Sequence, residues 1–257
     1  MTPVLSALIA GSAAATATAV GTLPALFASR LKQRTQDALL GFGAGIMLAA
    51  SAFSLVLPGL KEARLQGDGP WAAGLIVGSS ILLGAALIML LERVLPHEHF
   101  IKGPEGGSLL RIRRTWLFVF AICLHNLPEG LAIGVGYAAS NVSHANALAI
   151  GIAIQDLPEG LVVALAMLAV GYGRRRSILV GMASGLIEPV GALAGVSLVV
   201  ALPWLLPCGL GFAAGAMLFV VSHEIIPESH RQGHENFATT GLILGFVLMM
   251  LLDTALG

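Results

Sequence analysis

His125-Asn126-Leu127-Pro128-Glu129-Gly130 and Gln155-Asp156-Leu157-Pro158-Glu159-Gly160 stand thirty residues apart in otherwise apolar sequence. On a helix, residues i and i+4 project from one face, so His125 pairs with Glu129, and Gln155 with Glu159, as two-point clamps. Pro128 and Pro158 lie inside these clamps. Each removes a backbone donor, frees a carbonyl about one turn earlier and invites a kink. Two broken helices presenting such clamps to one another can hold a metal ion.

The sequence around the pair decides the fold class. Of the 257 residues, 56% are hydrophobic and only 11% are charged, with a mean hydropathy of +0.88. That is the composition of a polytopic membrane protein. An α-helix needs about 20 apolar residues to cross a hydrocarbon core of about 30 Å. Such runs recur at about 4–28, 37–60, 72–93, 115–139, 145–171, 178–201, 208–226 and 237–255. The expected fold is all-α with eight transmembrane helices, a single transmembrane domain over 1–257. No polar stretch is long enough for a soluble domain. Net charge is zero, which gives no reason to expect a nucleic-acid partner. Cys123 and Cys208 sit in or beside apolar segments without a CxxC spacing or a disulfide framework, and read as packing residues.

Charge sorting sets the orientation. Twelve of the fourteen lysines and arginines follow the odd-numbered spans: Arg30, Lys32 and Arg34, then Arg93, Lys102, Arg111, Arg113 and Arg114, then Arg174, Arg175 and Arg176, then Arg231. Only Lys61 and Arg64 fall on the other side. The positive-inside rule then places the odd loops in the cytoplasm and both termini outside it. The first span has no basic segment before it, so it reads as a retained helix and not a signal peptide. The longest loop, about 94–114, is cytoplasmic on this topology and carries His97, Glu98 and His99; a weak metal site and a plain solvated linker both fit it.

Internal similarity adds a second constraint. Gly43-Ala44-Gly45-Ile46-Met47-Leu48 in span 2 resembles Ala213-Ala214-Gly215-Ala216-Met217-Leu218 in span 7, and these spans run in opposite directions. An inverted repeat of helices 1–3 and 6–8 around the central pair 4–5 has this signature.

Five carboxylates remain inside spans: Glu129, Asp156, Glu159, Glu188 and Glu224. A charge at mid-bilayer costs roughly 2.5 to 3.5 kcal/mol, and no basic residue lies at similar depth to offset it. Glu129, Asp156, Glu159 and Glu188 all fall near the middle of their spans, and two divalent cations would cancel their four charges. Without metal some of them must hold protons, so metal binding and proton loss should be coupled. His125, Glu129, Gln155 and Glu159 make one site. Asn126 and Asp156 are turned about 100° around their helices toward a second, where Glu188 can join and Glu129 and Glu159 can bridge. A histidine among oxygens suits Zn, Fe, Mn or Cd better than Mg or Ca. Met47 and Ser54 in span 2 either face this site or simply pack. His223 and Glu224 form either an exit-side metal site or an ordinary hydrated helix end.

An enzyme is the first rival, since His223-Glu224 begins like an HExxH zinc-protease helix. The motif needs a second histidine at position 227, which is Pro227, so no enzyme is expected. A proton-conducting channel or pump is the second, because membrane acids also build proton relays.

HNLPEG, the second DLPEG, Glu188-Pro189 and SHEIIPESH together resemble the Zrt/Irt-like protein (ZIP) family of divalent metal transporters, in its GufA-like prokaryotic branch. The likeness covers essentially the whole chain. It implies a bacterial inner-membrane homodimer that takes up Zn2+, or Cd2+, Fe2+ or Mn2+, toward the cytoplasm, with up to two ions in the membrane. It implies a primary site of His125, Glu129, Gln155 and Glu159 with Met47. It implies a secondary site of Asn126, Asp156 and Glu188 with the two shared glutamates. It also implies an elevator-like motion of helices 1, 4, 5 and 6 against 2, 3, 7 and 8. Many members have histidine where this chain has Gln155, and an amide oxygen is the weaker transition-metal ligand.

Overall fold

The computed structural model describes residues 2–27, 32–94, 108–139, 141–231 and 233–256; the side chains of 92–94, 108–114, 117, 118, 121, 124 and 125 lie outside the description. His97, Glu98 and His99 therefore fall outside the described residues.

The chain is an all-α polytopic bundle. Its helices are α1 Pro3–Gly21, α2 Gln33–Leu65, α3 Pro70–Val94, α4 Ser108–Ala138, α5 Val142–Ala169, α6 Arg174–Ala201, α7 Pro203–His230 and α8 Glu235–Leu256. Among the described residues, all but α4 are long and apolar enough to cross a membrane by length and composition, and α4 is itself 31 residues long. Local chemistry sets several ends. Thr2 caps α1 by accepting from the Leu5 amide, and Asn141 caps α5 by accepting from the Ser143 and His144 amides. Pro70 and Pro203 open their segments, where a missing backbone donor costs nothing.

Three features depart from the eight uniform spans expected. Helix α4 begins two turns before position 115, and both α4 and α5 continue through Pro128 and Pro158 as single helices. Helix α6 is broken: Arg174–Ser184 and Ile187–Ala201 are separate segments joined at Gly185 and Leu186. Helices α2 and α7 each contain a π-helical stretch, Ala50–Val56 and Val221–Ile225. Pro58 and Pro227 follow these stretches, and a wider turn accommodates the ring that would otherwise meet the carbonyl four residues back.

Packing follows a mirrored scheme. The most extensive contacts join α2 to α8, α4 to α6, α2 to α7, α3 to α7, α1 to α6 and α1 to α5. Exchanging helices 1–3 with 6–8, and 4 with 5, turns α2/α8 into α7/α3 and α1/α5 into α6/α4. The contacts thus obey the inverted repeat that the Gly43–Leu48 and Ala213–Leu218 segments predict. Two four-helix groups result, α1 with α4, α5 and α6, and α2 with α3, α7 and α8.

Glycines reveal how each group is held. A Cβ at Gly41 would overlap the Ala238 carbonyl, at Gly84 that of Phe212, at Gly134 that of Ala192, and at Gly215 that of Ile81. Backbones inside a group are therefore in direct contact, as small residues permit between membrane helices. The seam between groups is different. Gly43 meets the Gln155 side chain, Gly151 meets Met249 and Ile46, and Gly209 meets Val135.

Candidate metal site

The two LPEG segments converge in the first group. Asn126 and Glu129 on α4, Asp156 on α5 and Glu188 on α6 are fully buried, while Gln155 and Glu159 are nearly so. Carboxylate oxygens of Glu129, Asp156 and Glu159 lie within 4.8 Å of one another, a separation that one or two cations can bridge. Gln155 donates its amide hydrogen bond to Glu129 Oε1 and lies 3.4 Å from Asp156 Oδ1, so the two motifs are tied across the site.

The break in α6 supplies the third wall. Ser184 ends the first segment, and its carbonyl accepts from Asn126 Nδ2 at 3.2 Å. Asn126 Nδ2 also lies 3.5 Å from Glu188 Oε1. Glu188 sits in the first turn of the second segment, where the positive end of the helix favours a carboxylate. Thr18 of α1 donates to the same Glu188 oxygen at 3.1 Å, so a fourth helix orients this acid. Sequence reading missed Thr18; a hydroxyl in an apolar helix carries no signal of its own.

The glycine that ends each motif has a packing role. A Cβ at Gly130 would overlap the Glu188 backbone, and a Cβ at Gly160 the Thr18 backbone. The motifs thus place a carboxylate and, one residue on, the gap that admits the neighbouring helix.

Five oxygens at this site, Asn126 Oδ1, Glu129 Oε2, Asp156 Oδ2, Glu159 Oε1 and Glu188 Oε2, are buried without a hydrogen-bond partner. Acceptors in this state are costly unless a cation or proton completes them. No ion pair to a basic side chain serves these acids among the described residues. The donor set fits divalent cations.

The remaining expected ligands fall differently. The His125 side chain lies outside the described residues; its backbone belongs to α4. Met47 is fully buried on α2, one turn after Gly43, whose missing side chain faces Gln155 Oε1. Ser54 does not face the acids: it donates to Asp253 Oδ1 at 2.8 Å, because it lies two turns farther along α2 than Met47. His223 and Glu224 occupy the π-helical stretch of α7. His223 is exposed with its ring 5.0 Å from that of Phe219, and Glu224 beside it is half-buried.

A polytopic helical bundle that buries an uncompensated acid cluster between its helices has the construction of a membrane metal transporter. Residues 105–253 match the family model described as ZIP zinc transporter. The chain is 54% identical over 252 residues to the zinc transporter ZIPB of Bordetella bronchiseptica, covering 98% of this chain and 81% of that one. It is 47% identical over 251 residues to the zinc transporter GufA of Myxococcus xanthus, covering 97% and 98%. It is 32% identical to the human zinc transporter ZIP11, covering 93% and 94%. The chain belongs to the ZIP zinc transporter family. Its members are transporters, and the chain is not an enzyme.

Proposed function

We propose that the protein carries zinc, and divalent ions such as cadmium, iron or manganese, across a bacterial inner membrane into the cytoplasm. The observation that carries this reading is the set of five buried, unpartnered oxygens among Asn126, Glu129, Asp156, Glu159 and Glu188. His125, Glu129, Gln155 and Glu159 with Met47 hold one ion. Asn126, Asp156 and Glu188, sharing Glu129 and Glu159, hold a second. His223 and Glu224 receive the ion on the cytoplasmic side.

The two helix groups support an elevator-like mechanism. Every acid of the site belongs to α4, α5 or α6, and the seam with the other group is made of side chains, so the site can move with its group. Residues 1–257 act as one transmembrane unit with both termini extracytoplasmic, and two copies associate as a homodimer. Zinc uptake into proteoliposomes containing a zinc-sensitive dye tests the reading. Accumulation dependent on Glu129 and Glu159 supports it. Proton flux without divalent movement overturns it in favour of a proton channel or pump.

A further inference from the structure

A second cluster of metal-binding side chains lies well away from the acids, at the end of the bundle that carries the α2–α3 turn, the α4–α5 turn and the C-terminal end of α8. A cavity of about 310 Å³ opens there, lined by His144, Asp253, Ser54, Glu62, Lys61 and Leu148 among others. On the charge pattern of the loops, this end faces away from the cytoplasm.

Three helices contribute. His144 stands in the first turn of α5, just after its cap, Asn141. Asp253 is in the last turn of α8, where unpaired helix carbonyls attract cations. Ser54 of α2 donates to Asp253 Oδ1 at 2.8 Å and fixes its orientation, as outer groups fix carboxylate ligands in metal sites.

The spacing between His144 and Asp253 is informative. Nδ1 of His144 is 3.4 Å from Asp253 Oδ1, too long for a good hydrogen bond. That nitrogen is buried and has no hydrogen-bond partner. Two ligands at zinc distances of 2.0 to 2.2 Å in tetrahedral array stand about 3.3 to 3.5 Å apart. The pair is thus set as two corners of a tetrahedron whose other corners open into the cavity. His144 also lies eleven residues, three helical turns, before Gln155 on α5, about 16 Å along the same helix stripe as the mid-membrane site.

We propose that His144 and Asp253, oriented by Ser54, form a docking site for a zinc-type divalent cation at the extracytoplasmic mouth. The inference rests on the transport reading for its physiological sense but not for its chemistry, so it is tested by binding. In the full-length Glu129→Ala/Glu159→Ala protein, where the mid-membrane site is removed, zinc stoichiometry is measured by equilibrium dialysis with and without His144→Ala. Loss of one equivalent supports the site; equal stoichiometry overturns it. Asp253→Asn, which keeps the side-chain shape, should cause the same loss, so misfolding of one variant does not decide the result. Zinc should also protect His144 from carbethoxylation by diethyl pyrocarbonate, read by mass spectrometry, and unprotected modification overturns coordination by its imidazole. If docking persists while proteoliposomes move no zinc, the transport reading fails and the site stands.

Discussion

Asn126 Nδ2 binds the carbonyl of Ser184, the residue at which α6 breaks, at 3.2 Å. One side chain of the first LPEG segment therefore secures the irregular backbone that positions Glu188. Buried irregular backbone inside a membrane protein persists only where its polar groups are satisfied. Asn126→Ala leaves that carbonyl unpaired, and the expected cost is about 1–3 kcal/mol. Chemical denaturation in detergent measures it, and an unchanged midpoint would show that the break is held by other contacts.

The shared carboxylates should matter most. Glu129→Ala and Glu159→Ala are each expected to reduce zinc uptake to the level of empty liposomes, because in the proposed two-ion site each would serve both ions. Asp156→Ala and Glu188→Ala should retain part of the rate. Wild-type uptake by the Glu129→Ala protein would refute the bridging role.

Gly130→Ala and Gly160→Ala test the close approach of helices. The added methyl meets the backbone of Glu188 in one case and of Thr18 in the other, and backbone cannot rotate away. Each substitution should destabilise the protein by about 1–3 kcal/mol and impair uptake together with stability. Thermal unfolding in detergent, run beside the transport assay, separates this from a change in the ligands alone.

Zinc affinity should fall as pH drops from 7 to 5. Protons and metal compete for the same buried oxygens, so binding releases protons and is tightest at the upper end of this range. The decline is about tenfold per pH unit for each proton released. Calorimetry in buffers of different ionisation enthalpy counts those protons, and pH-independent binding would remove the coupling.

Gln155→His exchanges an amide for the better transition-metal ligand, at the cost of the hydrogen bond to Glu129. Zinc should bind more tightly and leave the site more slowly, so saturating uptake should fall. Competition by cadmium and manganese in the same assay reports whether ion preference shifts with it.

Much of this molecule was legible from its sequence because its main signals are local. Spans announce themselves by apolar length, and an acid in such a span needs a reason to be there, which is why Glu129, Asp156, Glu159 and Glu188 stood out. The Gly43–Leu48 and Ala213–Leu218 match carried the repeat. What escaped depends on contacts between distant segments. The break at Gly185 is secured by a hydrogen bond from Asn126 to the Ser184 carbonyl, 58 residues away in sequence. Thr18 orients Glu188 from 170 residues away, and Ser54 meets Asp253 across 199. Pro58 and Pro227 were visible, but the π-helical turns that absorb them form only against packed neighbours.

The mirrored pairing of α2/α8 with α7/α3, and of α1/α5 with α6/α4, has an energetic consequence. Two repeats of like packing in opposite orientation could trade conformations, and the product would be a like arrangement facing the other side of the membrane. On the alternating-access reading proposed above, the two arrangements would lie close in energy, and modest differential binding would shift the balance between them. Direction would be imposed from outside, by the difference in ion concentration between the two compartments.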